Sequence, residues 1–277
     1  MAKKFTVIVL VYNNSEYLEE SINSILIQDY TPLEIIVVDD GSEKFEKEKI
    51  ISYISGRNDV DYIVYQNSSN LGTVKSAKNA IMKASGEYIK LLAADDALYD
   101  RKSLSSAAEA LNHSPCGIIT GDVMNCNANL EPQAKNYKKL MDRINTLEPF
   151  EVFKALCVHN DIVAGGVFFK RSFFDEYGMF DESFRLLEDW PTWLRATRAG
   201  CRVVHVPFYA IRYRLNNGVG TSTNSIYIND RKKVFDSIIL PARKEIGLWI
   251  FLKSFFYNSF CNSFVVRKIY GCIFRRK

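Results

Sequence analysis

An α/β fold built on a mostly parallel sheet with flanking helices follows from two features of the chain. Its apolar segments are short, continuous and rich in β-branched residues, and helical patterns alternate with them through short connections. Continuous apolar runs suit strands covered on both faces, and strand–helix alternation builds right-handed βαβ units. A chain of 277 residues can bury one large core of this kind.

FTVIVLVY (Phe5 to Tyr12) reads as the first strand, and Asn13, Asn14 and Ser15 then offer helix caps. Leu18, Ile22, Ile25 and Leu26 follow at helical spacing. LEIIVVDD is a second buried strand ending on Asp39-Asp40-Gly41-Ser42, and VDYIVYQN is a third. Asn70-Leu71-Gly72 opens a helix with Val74, Ala77, Ile81 and Ala84 inward. The fourth strand, in EYIKLLAADD, ends on Asp95-Asp96. Beyond Leu104 the pattern is mixed. A helix reaches about Asn112, CGIITGDV is strand-like, and a polar section runs to about Asn145. A helix over Pro149 to Cys157 leads into VAGGVFFKR. Another spans about Asp189 to Ala199 with Pro191 in its first turn, and CRVVHVPFYAIRYR reads as two short strands.

The strands end on Tyr12-Asn13, Asp39-Asp40, Gln66-Asn67 and Asp95-Asp96. In an open parallel sheet these ends share the edge where ligands bind, so four polar endings predict a functional rim. Adjacent carboxylates such as Asp95 and Asp96 repel by about 1–4 kcal/mol at water-like to surface-like dielectric. Mg²⁺ or Mn²⁺ would remove that cost, using one or two carboxylates with phosphate oxygens and water; the other reading is a helix cap by Asp96. Asp39-Asp40-Gly41-Ser42 describes a sharp turn whose carboxylates either cap locally or accept from a base N–H or ribose hydroxyls. Tyr12 is placed either to stack on a base or to pack.

Glu188-Asp189 opens a helix containing Trp190, Trp193 and Arg195. Acids suit a helix N-terminus, and beside aromatics that can lie on a sugar face Asp189 also suits a general base. No GxGxxG, GxxxxGK[ST] or GxSxG occurs, so dinucleotide, P-loop and α/β-hydrolase chemistry lack their defining residues. His113, His159 and His205 have no metal-ligand spacing and read as packing or surface residues.

TVIVLVYNNSEYLEESINSILIQDY, LEIIVVDDGS, NLGTVKSAKNAIMKASGEYIKLLAADD and GMFDESFRLLEDWPTWLRATRAG, in that order, resemble the family 2 glycosyltransferases of the GT-A fold, over roughly Thr6 to Asn217. The resemblance implies a nucleotide-binding, mostly parallel sheet with an acceptor-binding half. It also implies an inverting transferase that uses a nucleotide-diphosphate sugar, usually a UDP-sugar, with Mn²⁺ or Mg²⁺. Carried over, Tyr12 and Asp40 would hold the uracil, with Asp39 beside them. Asp95 would bind the metal with Asp96 alongside, and Asp189 would deprotonate the acceptor hydroxyl, with Glu188 and Trp190 at the sugar pocket. Two departures stand out. Ala93 replaces an acid expected near the ribose, and Asn216 replaces a histidine that can reach the metal. They leave open a weaker metal site or a cation held by Asp95 and phosphate alone.

Residues 240–277 carry eight basic side chains and one acid, +7 of a net +4, so the remainder is mildly acidic at −3. That distribution argues against a nucleic-acid binder. Residues 1–240 are therefore expected to form the transferase domain and residues 241–277 a basic, aromatic tail of amphipathic helix. Its longest uncharged run, Ser254 to Val266, is too short to span a bilayer. Trp249, Leu252, Phe256, Phe260 and Phe264 recur at helical spacing, which suits either an anionic membrane interface or packing on the body or a dimer contact. Six cysteines without CxxC favour reduced, mostly buried thiols, and the N-terminus reads as a strand rather than a signal peptide. The expectation is a cytoplasmic enzyme peripheral to the inner face of the membrane. It would transfer a sugar to a lipid-linked or oligosaccharide acceptor in surface-polysaccharide assembly. The competing readings are a sugar-1-phosphate nucleotidyltransferase, which would want a glycine- and basic-rich loop where YNNSEY stands, and a non-catalytic nucleotide- or sugar-binding module.

Overall fold

The central strand β1 (Phe5–Val11) sends Phe5, Val7, Val9 and Val11 to one face of the sheet and Ile8 to the other, all of them buried. A computed structural model of the chain describes residues 2–133, 140–215 and 224–260. The other strands are β2 (Leu33–Asp39), β3 (Val60–Gln66), β4 (Tyr88–Ala93), β5 (Ala97–Leu98), β6 (Ile118–Cys126), β7 (Val167–Lys170) and β8 (Val204–Arg214). They form one sheet in the order β3-β2-β1-β4-β7-β6-β8-β5. The first four are parallel. β7 runs antiparallel to β4 and β6, while β6 and β8 are parallel to each other.

Helices α1 (Leu18–Leu26), α2 (Lys47–Ile54) and α4 (Ser103–His113) cover one face. Helices α3 (Thr73–Lys83), α5 (Pro149–Val158), α6 (Arg171–Tyr177) and α7 (Asp189–Arg198) cover the other. Both layers follow from strands that are apolar on both faces; β3, at the edge, exposes Asp61, Tyr62 and Gln66. The expected pair of strands after Cys201 is instead the single strand β8. Register shifts opposite Asp122 let it bend without breaking. Of the VAGGVFFKR segment only Val167–Lys170 is strand, because Ala164–Gly166 turns first. Cys126, Cys157 and Cys201 are buried free thiols and Cys116 is partly buried.

The chain closes with α8 (Ser225–Val234), a π-helical turn (Phe235–Ile239), α9 (Arg243–Ile246) and α10 (Leu248–Phe260). These are continuous with the body: Ala242 and Ile246 are buried in the main core, Ile250 and Phe251 pack against it, and Ser254 Oγ donates to Cys157 O at the end of α5. Phe264, part of the expected helical spacing, lies outside the described residues.

Register sets the rim. Val11 is level with Asp39, Asp39 with Gln66, and Leu10 with Ala93, so the four parallel strands stop together along one edge. At the opposite edge Glu34 is 5% exposed, and its carboxylate accepts from Thr6 Oγ1 (2.6 Å), Ser85 N (2.8 Å) and Ser85 Oγ (2.8 Å). Glu34→Ala strands these donors at a cost of about 3 kcal/mol. Chemical denaturation measures the loss. The effect should be on stability alone, since Glu34 lies a full strand length from the rim; a loss below about 0.5 kcal/mol, the range of ordinary surface changes, contradicts the assignment.

Candidate active site

A cavity of about 580 Å³ opens along this rim, lined on one wall by Tyr12, Asp40, Ala93, Asp95 and Asp96 and on the other by Glu188, Asp189, Asn160 and Trp193. Asp40 is 7% exposed. Its Oδ1 accepts from Asn67 Nδ2 (3.0 Å), Leu71 N (2.8 Å) and Ser76 Oγ (2.7 Å), and its Oδ2 from Gly72 N (2.8 Å). Oδ2 thus keeps capacity for a ligand donor. Gly72 has φ +88°, and a Cβ there would stand 2.6 Å from Arg185 O, so only glycine brings this amide to Asp40. Tyr12 is 45% exposed above the rim.

Asp39 does not line the cavity. Fully buried, it accepts from Gly41 N (3.1 Å), Ser42 N (2.8 Å), Ser42 Oγ and Gln66 Nε2 (2.9 Å), and so shapes the turn that presents Asp40. The expectation that it sits beside a nucleotide therefore becomes support from beneath. Likewise Gln66 and Asn67 end their strand on Asp39 and Asp40 rather than in the cavity.

Asp95 and Asp96 are 6% and 4% exposed. Burial raises both carboxyls above the ordinary range. Asp95's charge adds to the effect on Asp96, which reaches about 8, and Glu16 adds to that on Asp95. Burial outweighs the charges of Arg214 and Lys90 nearby, and a carboxylate pair left in that state is what a hard divalent cation relieves, so the donor set fits Mg²⁺ or Mn²⁺. No three His, Cys, Asp or Glu side chains converge among the described residues. The described residues thus offer a carboxylate pair, to which phosphate oxygens and water would add. Ala93 is exposed on the lining where an acid was expected; Asn216 lies outside the described residues.

Arg214, Lys90 and Asp230 carry the site yet have no sequence motif. Arg214, 2% exposed, donates its backbone N–H to Asp96 Oδ1 (2.9 Å) and its guanidinium to Asp95 O, Ala128 O and Glu20 Oε2 (2.6 Å). It also stacks 3.9 Å from the Tyr17 ring centre. Lys90 is fully buried under the floor, donating to the Gly165 and Val167 carbonyls with the Phe168 ring 4.5 Å away. Burial pushes its ammonium down to about 7, against the opposing pull of Asp96. Asp230 on α8 accepts from Arg185 N (2.9 Å), Leu186 N (2.7 Å) and Leu187 N (3.3 Å), fixing the approach to Glu188.

On the second wall Asp189 Oδ1 accepts from Trp190 N (2.6 Å) and Oδ2 from Asn160 Nδ2 (2.7 Å). Glu188 is partly exposed as a residue, yet its carboxyl is enclosed; burial and then the charge of Asp189 raise it. Tyr213, with Asp95, Asp96 and Asp189 around it, is pushed by burial to about 12 and stays a neutral phenol. Trp190 does not reach the cavity. It is 2% exposed with Nε1 on Leu156 O (2.9 Å), because the first turn of α7 packs against α5. The tryptophan that reaches the lining is Trp193, three residues on and so close to one helical turn further, stacked on Phe169.

A parallel sheet with a carboxylate rim, closed by an antiparallel half that brings a second acid pair across the cavity, defines the GT-A class of nucleotide-sugar transferases. The sequence model described as Glycosyl transferase family 2 matches residues 6–178, and the chain belongs to that family. It is 26% identical to an uncharacterized glycosyltransferase of Haemophilus influenzae over 88% of this chain and 75% of that protein. It is also 31% identical to the poly(ribitol-phosphate) β-N-acetylglucosaminyltransferase TarS of Staphylococcus aureus, over 57% of this chain and 29% of TarS. Among solved structures, TarS residues 1–349 superpose with a TM-score of 0.64 at 20% identity, covering 94% of this chain and 74% of that one. TarS has also been solved with UDP-GlcNAc. The mannosyltransferase PcManGT of Pyrobaculum calidifontis, solved with GDP-Man and Mn²⁺, gives 0.59 at 17% identity over 98% of this chain and 79% of that one. The fold and the glycosyltransferase class expected from the motifs thus hold, and structure neighbours use a divalent metal.

Lys90 gives a pH signature. Unfolding returns it to the ordinary value of 10.5. Between about pH 7 and pH 10 the unfolded chain therefore holds a proton that the folded chain lacks, and stability due to this lysine rises with pH. The unfolding free energy of the parent minus that of Lys90→Met should climb over this range. A flat difference would show an unperturbed lysine.

Proposed function

We propose that the chain is an inverting glycosyltransferase that moves a sugar from a nucleotide-diphosphate sugar, a UDP-sugar first among candidates, to a hydroxyl of a lipid-linked or oligosaccharide acceptor. The observation that carries this is the single cavity with Asp40, Asp95 and Asp96 on one wall and Asp189 on the other. TarS's complex with UDP-GlcNAc supports the choice of donor, and its name, a poly(ribitol-phosphate) transferase, supports a polymeric acceptor.

In this reading Tyr12 stacks on the base and the free lone pairs of Asp40 Oδ2 accept from it. Asp95 holds the cation with Asp96 alongside, and the cation, when bound, supplies positive charge to the departing diphosphate. Asp189, held by two donors, takes the acceptor's proton. The acceptor oxygen attacks the anomeric carbon from the face opposite the diphosphate. The bond to the phosphate oxygen breaks, its electron pair leaves with the nucleotide, and the configuration inverts. Glu188, whose carboxyl burial keeps protonated more readily than an exposed acid, can donate to a sugar hydroxyl.

Measuring UDP or GDP release from UDP- and GDP-sugars with Mn²⁺, with octyl glycosides and water as acceptors, tests the reading. Asp189→Asn should lower turnover at least about 100-fold and leave UDP binding intact. Asp95→Asn should remove the Mn²⁺ stimulation. Unchanged turnover in Asp189→Asn overturns the assignment of the base, and failure to turn over any nucleotide sugar overturns the enzyme.

The tail is proposed to hold the enzyme at an anionic membrane from the cytoplasmic side. Helix α10 packs one side on the body, while Leu248 and Trp249 are 73% and 56% exposed and Lys253 lies over the Trp249 ring. Residues 261–277 add five basic side chains and no acid. Among the described residues no helix is long and apolar enough to cross a membrane, which suits an interfacial contact. A chain ending at residue 260 should stop co-sedimenting with phosphatidylglycerol vesicles that retain the full chain. Equal sedimentation of both would exclude residues 261–277 as the anchor.

A further inference from the structure

Asn160 stands between α5 and the cavity, and its carboxamide is placed in an unusual way. Nδ2 donates to Asp189 Oδ2 at 2.7 Å, while Oδ1 is enclosed and has no hydrogen-bond partner among the described residues. A buried amide oxygen left unpaired costs about 1–3 kcal/mol. Turning the amide over would not relieve this, because it would press an oxygen against the Asp189 carboxylate, which can only accept. The Asp189 contact therefore dictates how the side chain sits, at the expense of its own oxygen.

The backbone that carries Asn160 is braced on both sides. His159 N donates to Ala155 O, and His159 Nδ1 pairs with Asp161 Oδ1 at 2.6 Å. The His159 ring meets Tyr257 of α10 edge-on, and Ser254 of α10 holds Cys157 O. Across the cavity Asp189 faces Tyr213, and Glu188 adjoins it on its own helix. Tyr227 and the Asp95–Asp96 pair, which also border Tyr213, line the same cavity. Asn160 donates to the Asp189 carboxylate from outside helix α7.

We propose that Asn160 is a positioning residue for the transfer reaction: it turns the Asp189 carboxylate so that a lone pair of Oδ2 points at the incoming acceptor hydroxyl. This rests on Asp189 being the base. Trp190 N anchors Oδ1 from the same helix, and a donor to Oδ2 from another element restrains the plane against rotation about χ2. A misplacement near 1 Å at a reacting group costs about 100-fold in rate.

The test compares Asn160→Asp and Asn160→Ala with the parent, using the nucleotide sugar and acceptor selected by the release assay above and thermal unfolding as a folding check. Asn160→Asp keeps the shape, removes the donor and sets a like charge against Asp189. It should lower kcat about 10- to 100-fold at near-constant donor KM and move the acid limb of the kcat/KM profile to higher pH. Asn160→Ala removes the donor alone. It should lower kcat similarly and leave the limb in place, and it decides the matter should the aspartate variant unfold. Parent-like kcat in folded Asn160→Ala, or a rise in donor KM with kcat unchanged, overturns the proposal. Loss of turnover in Asp189→Asn together with parent-like Asn160 variants sinks this inference alone, whereas full turnover in Asp189→Asn sinks the base assignment beneath it.

Discussion

The guanidinium of Arg214 ties the two halves of the sheet together at the point where both must face one ligand. β8 reaches it from the antiparallel half, and its contacts are the Asp95 carbonyl, the Glu20 carboxylate and the Tyr17 ring of the parallel half. Being nearly enclosed, it needs every one of these partners, since a buried charge without them carries a penalty of several kcal/mol. The same strand end gives its backbone N–H to Asp96. The acid loop is thus held by its neighbour strand as much as by its own turn.

Around that tie the site follows a division of labour among carboxylates. Asp39 and Asp230 are consumed by backbone donors and shape the turns that present Asp40 and Glu188. Asp40 is partly consumed and partly free. Asp95 and Asp96 are buried with little compensation, and their raised carboxyls record it. Such electrostatic tension is common where a structure is made to receive charge, and the charge that suits a buried carboxylate pair is a divalent cation. Lys90 beneath the floor works the other way, its ammonium depressed by burial while it clamps the Gly165 turn that lines the opposite wall.

The C-terminal segment joins this scheme rather than trailing from it. α10 grips the end of α5 through Ser254 and Tyr257, and the next loop bears Asn160. One side of the helix thereby supports the wall that carries Asp189, while another shows Leu248 and Trp249 to solvent.

Local signals in the chain determined the parallel half. Runs such as FTVIVLVY and LEIIVVDD specify buried strands by composition, short connections force their order, and parallel strand ends on one edge bring Asp40 and Asp95 together. The Glu188–Asp189 pair was legible as a helix start. Which side chains face the cavity was not, because the turns and packing that aim them are set by other elements. Asp39 turns inward where Asp40 turns to the rim, and Trp190 enters the core where Trp193 reaches the lining. Arg214, Lys90, Asp230 and Asn160 bear no local signature at all. Their roles come from partners 29 to 194 residues away, and only the tertiary structure decides such contacts, since charge and hydrogen bonding act through space and not along the chain.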